Sequence, residues 1–110
     1  MSENSIPNFD THELIPVVVQ HAVSKDVLML AYMNLTAYQE TMRTGQAHFW
    51  SRSRNTLWHK GATSGNYQLV QEIHIDCDED ALLLLVLPQG PACHTGQNTC
   101  FYRQSLPIQG

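Results

Sequence analysis

Apolar and polar positions along the chain fall into short blocks that predict strands more often than helices. Residues 14–23 hold Leu14, Ile15 and the run Val17, Val18, Val19, and residues 27–33 are apolar again. Ser24, Lys25 and Asp26 between these blocks suit a tight turn, so the pair predicts a β-hairpin. Asn34 can cap a helix, Leu35, Tyr38 and Met42 recur at i, i+3 and i+7, and Gly45 can end it after about three turns. Residues 46–51 and 56–60 read as strands around the polar connection Arg52, Ser53, Arg54, Asn55, and 61–66 is a loop by composition. Residues 67–77 alternate, with Leu69, Gln71, Ile73 and Ile75 on one side. Residues 81–87 are apolar on both faces, as expected of a covered central strand or an interface strand. Beyond them Gly90, Pro91 and Gly96 punctuate a loop. Residues 1–10, polar and broken by Pro7, are expected to be flexible. The pattern predicts one α+β domain over 1–110, strand-dominated with one helix and no internal repeat.

Composition narrows the class. A chain of 12.4 kDa folds to roughly 6,100 Å² of surface, enough for one core and not two. Six Lys+Arg against ten Asp+Glu give a formal charge of −4, which argues against nucleic-acid polymers as partners and leaves room for a small phosphorylated ligand. Hydrophobic content of 43% with 15% charged leaves apolar surface to spare, which suits a subunit interface. The apolar run 81–87 is far short of the roughly 20 residues a bilayer span needs, and Glu3 and Asn4 stand where a basic leader would. A soluble, cytoplasmic protein without membrane partners is expected.

Two clusters carry metal chemistry. In Asp76-Cys77-Asp78-Glu79-Asp80, a continuing strand would put Asp76 and Asp78 on one face and the Cys77 thiol on the other, with Asp80 joining only if extended geometry persists. Gathered carboxylates repel unless a cation sits among them, and hard oxygen donors suit magnesium; a solvated acidic turn is the alternative. The three cysteines, Cys77, Cys93 and Cys100, cannot all pair within one chain. Buried reduced thiols are one reading. Three thiolates holding zinc with an open position are another, with His94 as a further ligand or as a base near the bound water. A Cys turned outward from a strand can also complete a neighbouring subunit's loop, coupling metal binding to dimerisation.

A third cluster is basic. Arg52, Arg54 and Lys60 hold half of the six positive side chains within nine residues, followed by Thr63, Ser64, Gly65 and Asn66. Arginine forks, hydroxyls and turn amides bind phosphate, although a solvated hairpin turn has the same composition. Trp50 and Trp58 flank the cluster, to stack on a base or fill the core. His48, His59 and His74 show no partner in the sequence and are expected to be packing residues.

The stretches MLAYMN (29–34), FWSRSR (49–54), LWHKG (57–61), TSGN (63–66), DCDEDALLLLV (76–86) and GPACHTG followed by CFY (90–102) together resemble the phosphoribosyl-AMP cyclohydrolase family of histidine biosynthesis. The resemblance implies magnesium on Asp76, Asp78 and Asp80, and zinc on Cys77, Cys93 and Cys100. It also implies an intertwined homodimer in which Cys77 comes from one subunit and the Cys93 and Cys100 pair from the other. Relatives often carry Glu where this chain has Ala62, which removes a carboxylate beside the phosphate-binding segment. The implied reaction opens the adenine ring of 1-(5-phosphoribosyl)-AMP at C6–N1 by a zinc-activated water, with His94 moving the proton and Arg52, Arg54, Lys60 and 63–66 binding the two phosphates. Three rivals stand beside it. A zinc nucleotide deaminase would expel the exocyclic nitrogen, but its H-x-E with P-C-x-x-C signature is missing. A non-catalytic zinc-stabilised dimer module leaves the aspartates without a task, and a thiol nucleophile has no cysteine singled out for it.

Overall fold

The computed structural model describes residues 6–109. Strands β1 (Ile15–His21) and β2 (Val27–Met33) form the expected antiparallel hairpin, with Ile15 opposite Met33 and Val17 opposite Ala31. Helix α1 (Leu35–Thr44) follows: Asn34 Oδ1 accepts the Ala37 N–H at 2.9 Å, and Gly45 closes the last turn by donating to Thr41 O at 2.9 Å. β3 (His48–Ser51) and β4 (Thr56–His59) make a second antiparallel pair, and β5 (Gln68–Ile75) runs antiparallel to β6 (Leu82–Pro88). The larger sheet has the order β2-β1-β6-β5, in which β1 and β6 are parallel. Hairpins from opposite ends of the chain thus lie side by side, and β6 takes the central position that its apolar faces predict. The fold is α+β and strand-dominated with one helix, and no helix of the described residues is long and apolar enough to cross a membrane.

The core lies on one face of this sheet, where Val17, Val19, Met33, Leu84 and Val86 meet Phe49, Ala37 and Tyr38. On the other face Val18 sits opposite Leu30 and beside Leu83; Val18 is 37% exposed and Leu30 49%. Two expected faces are displaced. On α1 the buried residues are Ala37, Tyr38 and Thr41, while Leu35 and Met42 face solvent. The helix is turned by a polar anchor: Thr41 Oγ1 accepts the His48 N–H at 2.9 Å and lies 2.9 Å from Ala37 O, so the hydroxyl is drawn inward at the expense of Met42. On β5 a bulge at Gln71, where pairing steps from Val70–Val86 to Glu72–Leu85, reverses the alternation. Gln68, Val70, Ile73 and Ile75 therefore share the core side, not Leu69 and Gln71.

Of the segment expected to be flexible, residues 1–5 lie outside the described residues. Pro7 is buried, the Phe9 ring stands 5.6 Å from Tyr38, and the Asn8 N–H donates to Glu79 O at 2.9 Å.

Candidate active site

The carboxylates gather in a way that strand alternation did not foresee. β5 ends at Ile75, and residues 76–81 form a tight turn with Glu79 in the left-handed region at φ 61°. Asp76 Oδ1 accepts the N–H groups of Asp80 at 2.9 Å and Ala81 at 3.1 Å, and this winding brings one oxygen each of Asp76, Asp78 and Asp80 within 4.8 Å of one another. The amide of Asp80 and its neighbours hold the Asp76 carboxyl below the usual range. Asp80 is pushed up, by its hydrogen bond with Asp76, by burial and by the charges of Asp76 and Asp78. One carboxylate that ionises readily and one that resists is the state a bound cation would relieve.

The thiol loop begins where β6 ends. Turn hydrogen bonds from Cys93 N to Gln97 O at 3.1 Å and Gly96 N to Cys93 O at 3.0 Å fold it back. Its far end is fastened to the free edge of β2, with Thr99 Oγ1 donating to Val27 O at 2.7 Å and Cys100 N to Leu28 O at 2.7 Å. Cys93 is buried and Cys100 exposed, and each thiol is near enough to shift the ionisation of the other. The Thr95 hydroxyl, 3.1 Å from Cys93 Sγ, is the first cause that lowers the Cys93 pKa, followed by the Thr95 N–H, Cys100 and Lys60. Desolvation of the sulfur, and then the neighbouring Cys93, push Cys100 up. Cys77 is exposed on the acidic turn, at the opposite end of β6. Seven residues of strand, about 20 Å at the usual rise, separate it from the other two thiols. Among the described residues the one cluster of three or more His, Cys, Asp or Glu side chains placed for a metal is the aspartate set.

The basic cluster is divided between the two ends of the β3–β4 hairpin. Arg52 and Arg54 are exposed at its turn, and the Arg52 guanidinium lies 3.9 Å over the Tyr32 ring. Lys60 and the loop 61–66 lie at the other end, beside the thiol loop. Gly61, at φ 95°, leaves no room for a Cβ, which would stand 2.5 Å from the Tyr67 nitrogen. Gly90 is held to glycine by the Asn66 side chain, which occupies the place of its missing Cβ. The N–H groups of Ala62, Gly65 and Asn66 are spent inside the loop, on His59 O, Gly61 O and Ser64 Oγ, which leaves Thr63, the Ser64 hydroxyl and N–H, and the Asn66 side chain as free donors. His94 is exposed on the turn after Cys93.

His48 and His59, expected to be packing residues without a partner, are brought together by strand register, their rings stacked 4.1 Å apart and 9° from parallel. Their pairing across 11 positions follows only from the hairpin register. His74 lies 2.9 Å from Glu72 on the surface. Neither tryptophan fills the core: Trp50 is half-buried, and Trp58 is 39% exposed against Phe49, at 5.6 Å between centroids.

Fold and site together describe a small α+β domain with thiols, carboxylates and an exposed imidazole at the two ends of one central strand. The family model described as phosphoribosyl-AMP cyclohydrolase matches residues 29–102, and the chain belongs to this family. It is 63% identical over 90 residues to the phosphoribosyl-AMP cyclohydrolase of Lacticaseibacillus paracasei, covering 82% of each chain. It is 59% identical over 96 residues to that of Archaeoglobus fulgidus, covering 87% of this chain and 89% of the relative. A histidine biosynthesis bifunctional protein of Bacillus subtilis is 57% identical over 101 residues, which are 92% of this chain and 48% of that one.

Proposed function

We propose that two copies of this chain together open the adenine ring of 1-(5-phosphoribosyl)-AMP by hydrolysis. The separation of Cys77 from Cys93 and Cys100 by the length of β6 is the observation that carries the reading, because one chain cannot close the three thiols on one ion. A second copy, laid against the first with its acidic turn at the thiol loop, supplies the missing Cys77. The exposed row of Val18 and Leu30 supports such an apolar contact. So does a surface of 7394 Å² against the roughly 6,100 Å² expected for this mass, although the exposed tail around Leu106 and Ile108 accounts for part of the excess.

The donors fit zinc: a buried thiol inclined to ionise stands beside a second thiol, and sulfur is a soft ligand. Cys93, Cys100 and the partner's Cys77 would hold zinc, which would supply a water that ionises near neutral pH. Water adds to C6 of the N1-substituted ring, C6–N1 breaks, N1 gains a proton, and the exocyclic nitrogen stays as a carboxamide. His94, exposed next to Cys93, takes the proton from the attacking water and returns it to N1. Asp76, Asp78 and Asp80 would hold magnesium, which would lift the repulsion on Asp80. Arg52 and Arg54 at one end of the β3–β4 hairpin, and Thr63, Ser64 and Asn66 at the other, take the phosphates, an arrangement that suits a substrate with two separated phosphate groups.

The test is incubation of the metal-replete protein with phosphoribosyl-AMP, following product absorbance and ammonia together. Turnover without ammonia is expected. Ammonia release would assign a deaminase, and a metal-replete dimer without turnover would assign a binding module.

A further inference from the structure

Lys60 stands among the basic residues that the sequence offers to phosphate, but its side chain is turned inward. It is 8% exposed, in contrast to Thr56, Leu57 and Trp58 just before it. Its Nζ donates to Ala92 O at 2.8 Å and lies 5.6 Å from the centre of the Trp58 ring. Ala92 is the residue before Cys93. The adjoining chain is fastened to the same loop twice more, by the Gln89 N–H to Tyr67 O at 2.8 Å and by Asn66 packed into the space at Gly90.

A phosphate ligand has to present its donors to an open cleft, whereas this ammonium is committed to a backbone carbonyl below the surface. Burying an ammonium against a neutral carbonyl alone is costly, so the position calls for negative charge close by. The thiols supply it. Burial lowers the proton affinity of Lys60, and Cys100 and Cys93 act in the opposite sense. Three thiolates on a divalent ion leave one net negative charge, which a buried cation beside them offsets.

We propose that Lys60 is a positioning residue of the thiol site, which fixes the backbone at Ala92 and places a cation beside the Cys93 and Cys100 pair, and that it does not bind substrate phosphate. The inference rests on the zinc reading given above. In Lys60→Met, zinc affinity measured by chelator competition should fall about 10- to 100-fold, the usual effect of removing a group that supports a metal ligand. With zinc saturating, KM for phosphoribosyl-AMP should stay at the wild-type value. Unchanged zinc affinity with a raised KM would overturn the proposal.

A second measurement needs no variant. Lys25 and Lys60 are the two lysines of the chain, and Lys25 is exposed, so amine labelling read by mass spectrometry carries its own reference. In the zinc-loaded protein Lys60 should label far more slowly than Lys25, with or without the nucleotide. Fast labelling suppressed by the nucleotide would make Lys60 a phosphate ligand. A wild-type protein that takes up no zinc would sink the metal reading itself. Slow labelling indifferent to nucleotide would then still uphold the tie to Ala92.

Discussion

His94 follows a buried thiol on an exposed turn, so its imidazole is free to move while Cys93 is not. In His94→Ala the dimer and its zinc should persist while kcat falls about 10²- to 10⁴-fold, the usual cost of removing a placed acid or base. A change confined to KM would assign His94 to substrate binding, and loss of zinc would make it a ligand. Asp78→Asn separates the metals: magnesium response and most activity should go while zinc stays near stoichiometric, and joint loss of zinc and folding would show that the sites are not separable. The acidic turn and the thiol loop stand out in the sequence because four of the ten carboxylates fall within residues 76–80 and the chain has three cysteines. Their geometry does not. The left-handed backbone at Glu79, which no local pattern announces at a non-glycine residue, winds Asp76, Asp78 and Asp80 together where alternation would have strung them along an edge.

Among the elements, the hairpin β1–β2, the caps Asn34 and Gly45 and the apolar β6 could be read from local pattern, since each depends on residues a few positions apart. The bulge at Gln71 and the rotation of α1 could not, because pairing with β6 imposes the first and the distant His48 imposes the second. Thr41→Val tests that rotation. It leaves the buried His48 N–H without its acceptor and should cost about 1–3 kcal/mol by denaturant unfolding; unchanged stability would show that apolar packing alone sets the face. The stacked histidines give β3–β4 a dependence on pH. Burial, and then the neighbouring His48, depress the His59 pKa below 6.5, so the unfolded chain takes up the proton more readily. Stability is therefore full above pH 6.5 and is lost as pH falls from there through the folded pKa. His59→Phe keeps an aromatic ring at the position and removes the titration, so the fall of Tm between pH 7 and 5 should be shallower than in the wild type; identical slopes would place the effect elsewhere.

At the scale of the molecule, a shared site makes a specific demand on mixtures. A Cys77→Ser chain and a Cys93→Ser/Cys100→Ser chain should each be inactive and poor in zinc, and co-refolding them should restore one intact site per heterodimer. An active, zinc-loaded monomer would end the shared-site reading. The parallel pairing of β1 with β6 bears on something else, the timing of the chain's synthesis. About 60 residues separate these neighbours, so their pairing pays a long loop closure and waits for β6 to be made. Until then the β1–β2 hairpin is a marginal structure with an open side. Cys100, made later still, is fastened to Leu28 in that first hairpin. A segment made late is thus anchored on one made early, and until residue 100 has been made the free edge at Leu28 has no tie to the thiol loop and Cys93 has no second thiol beside it.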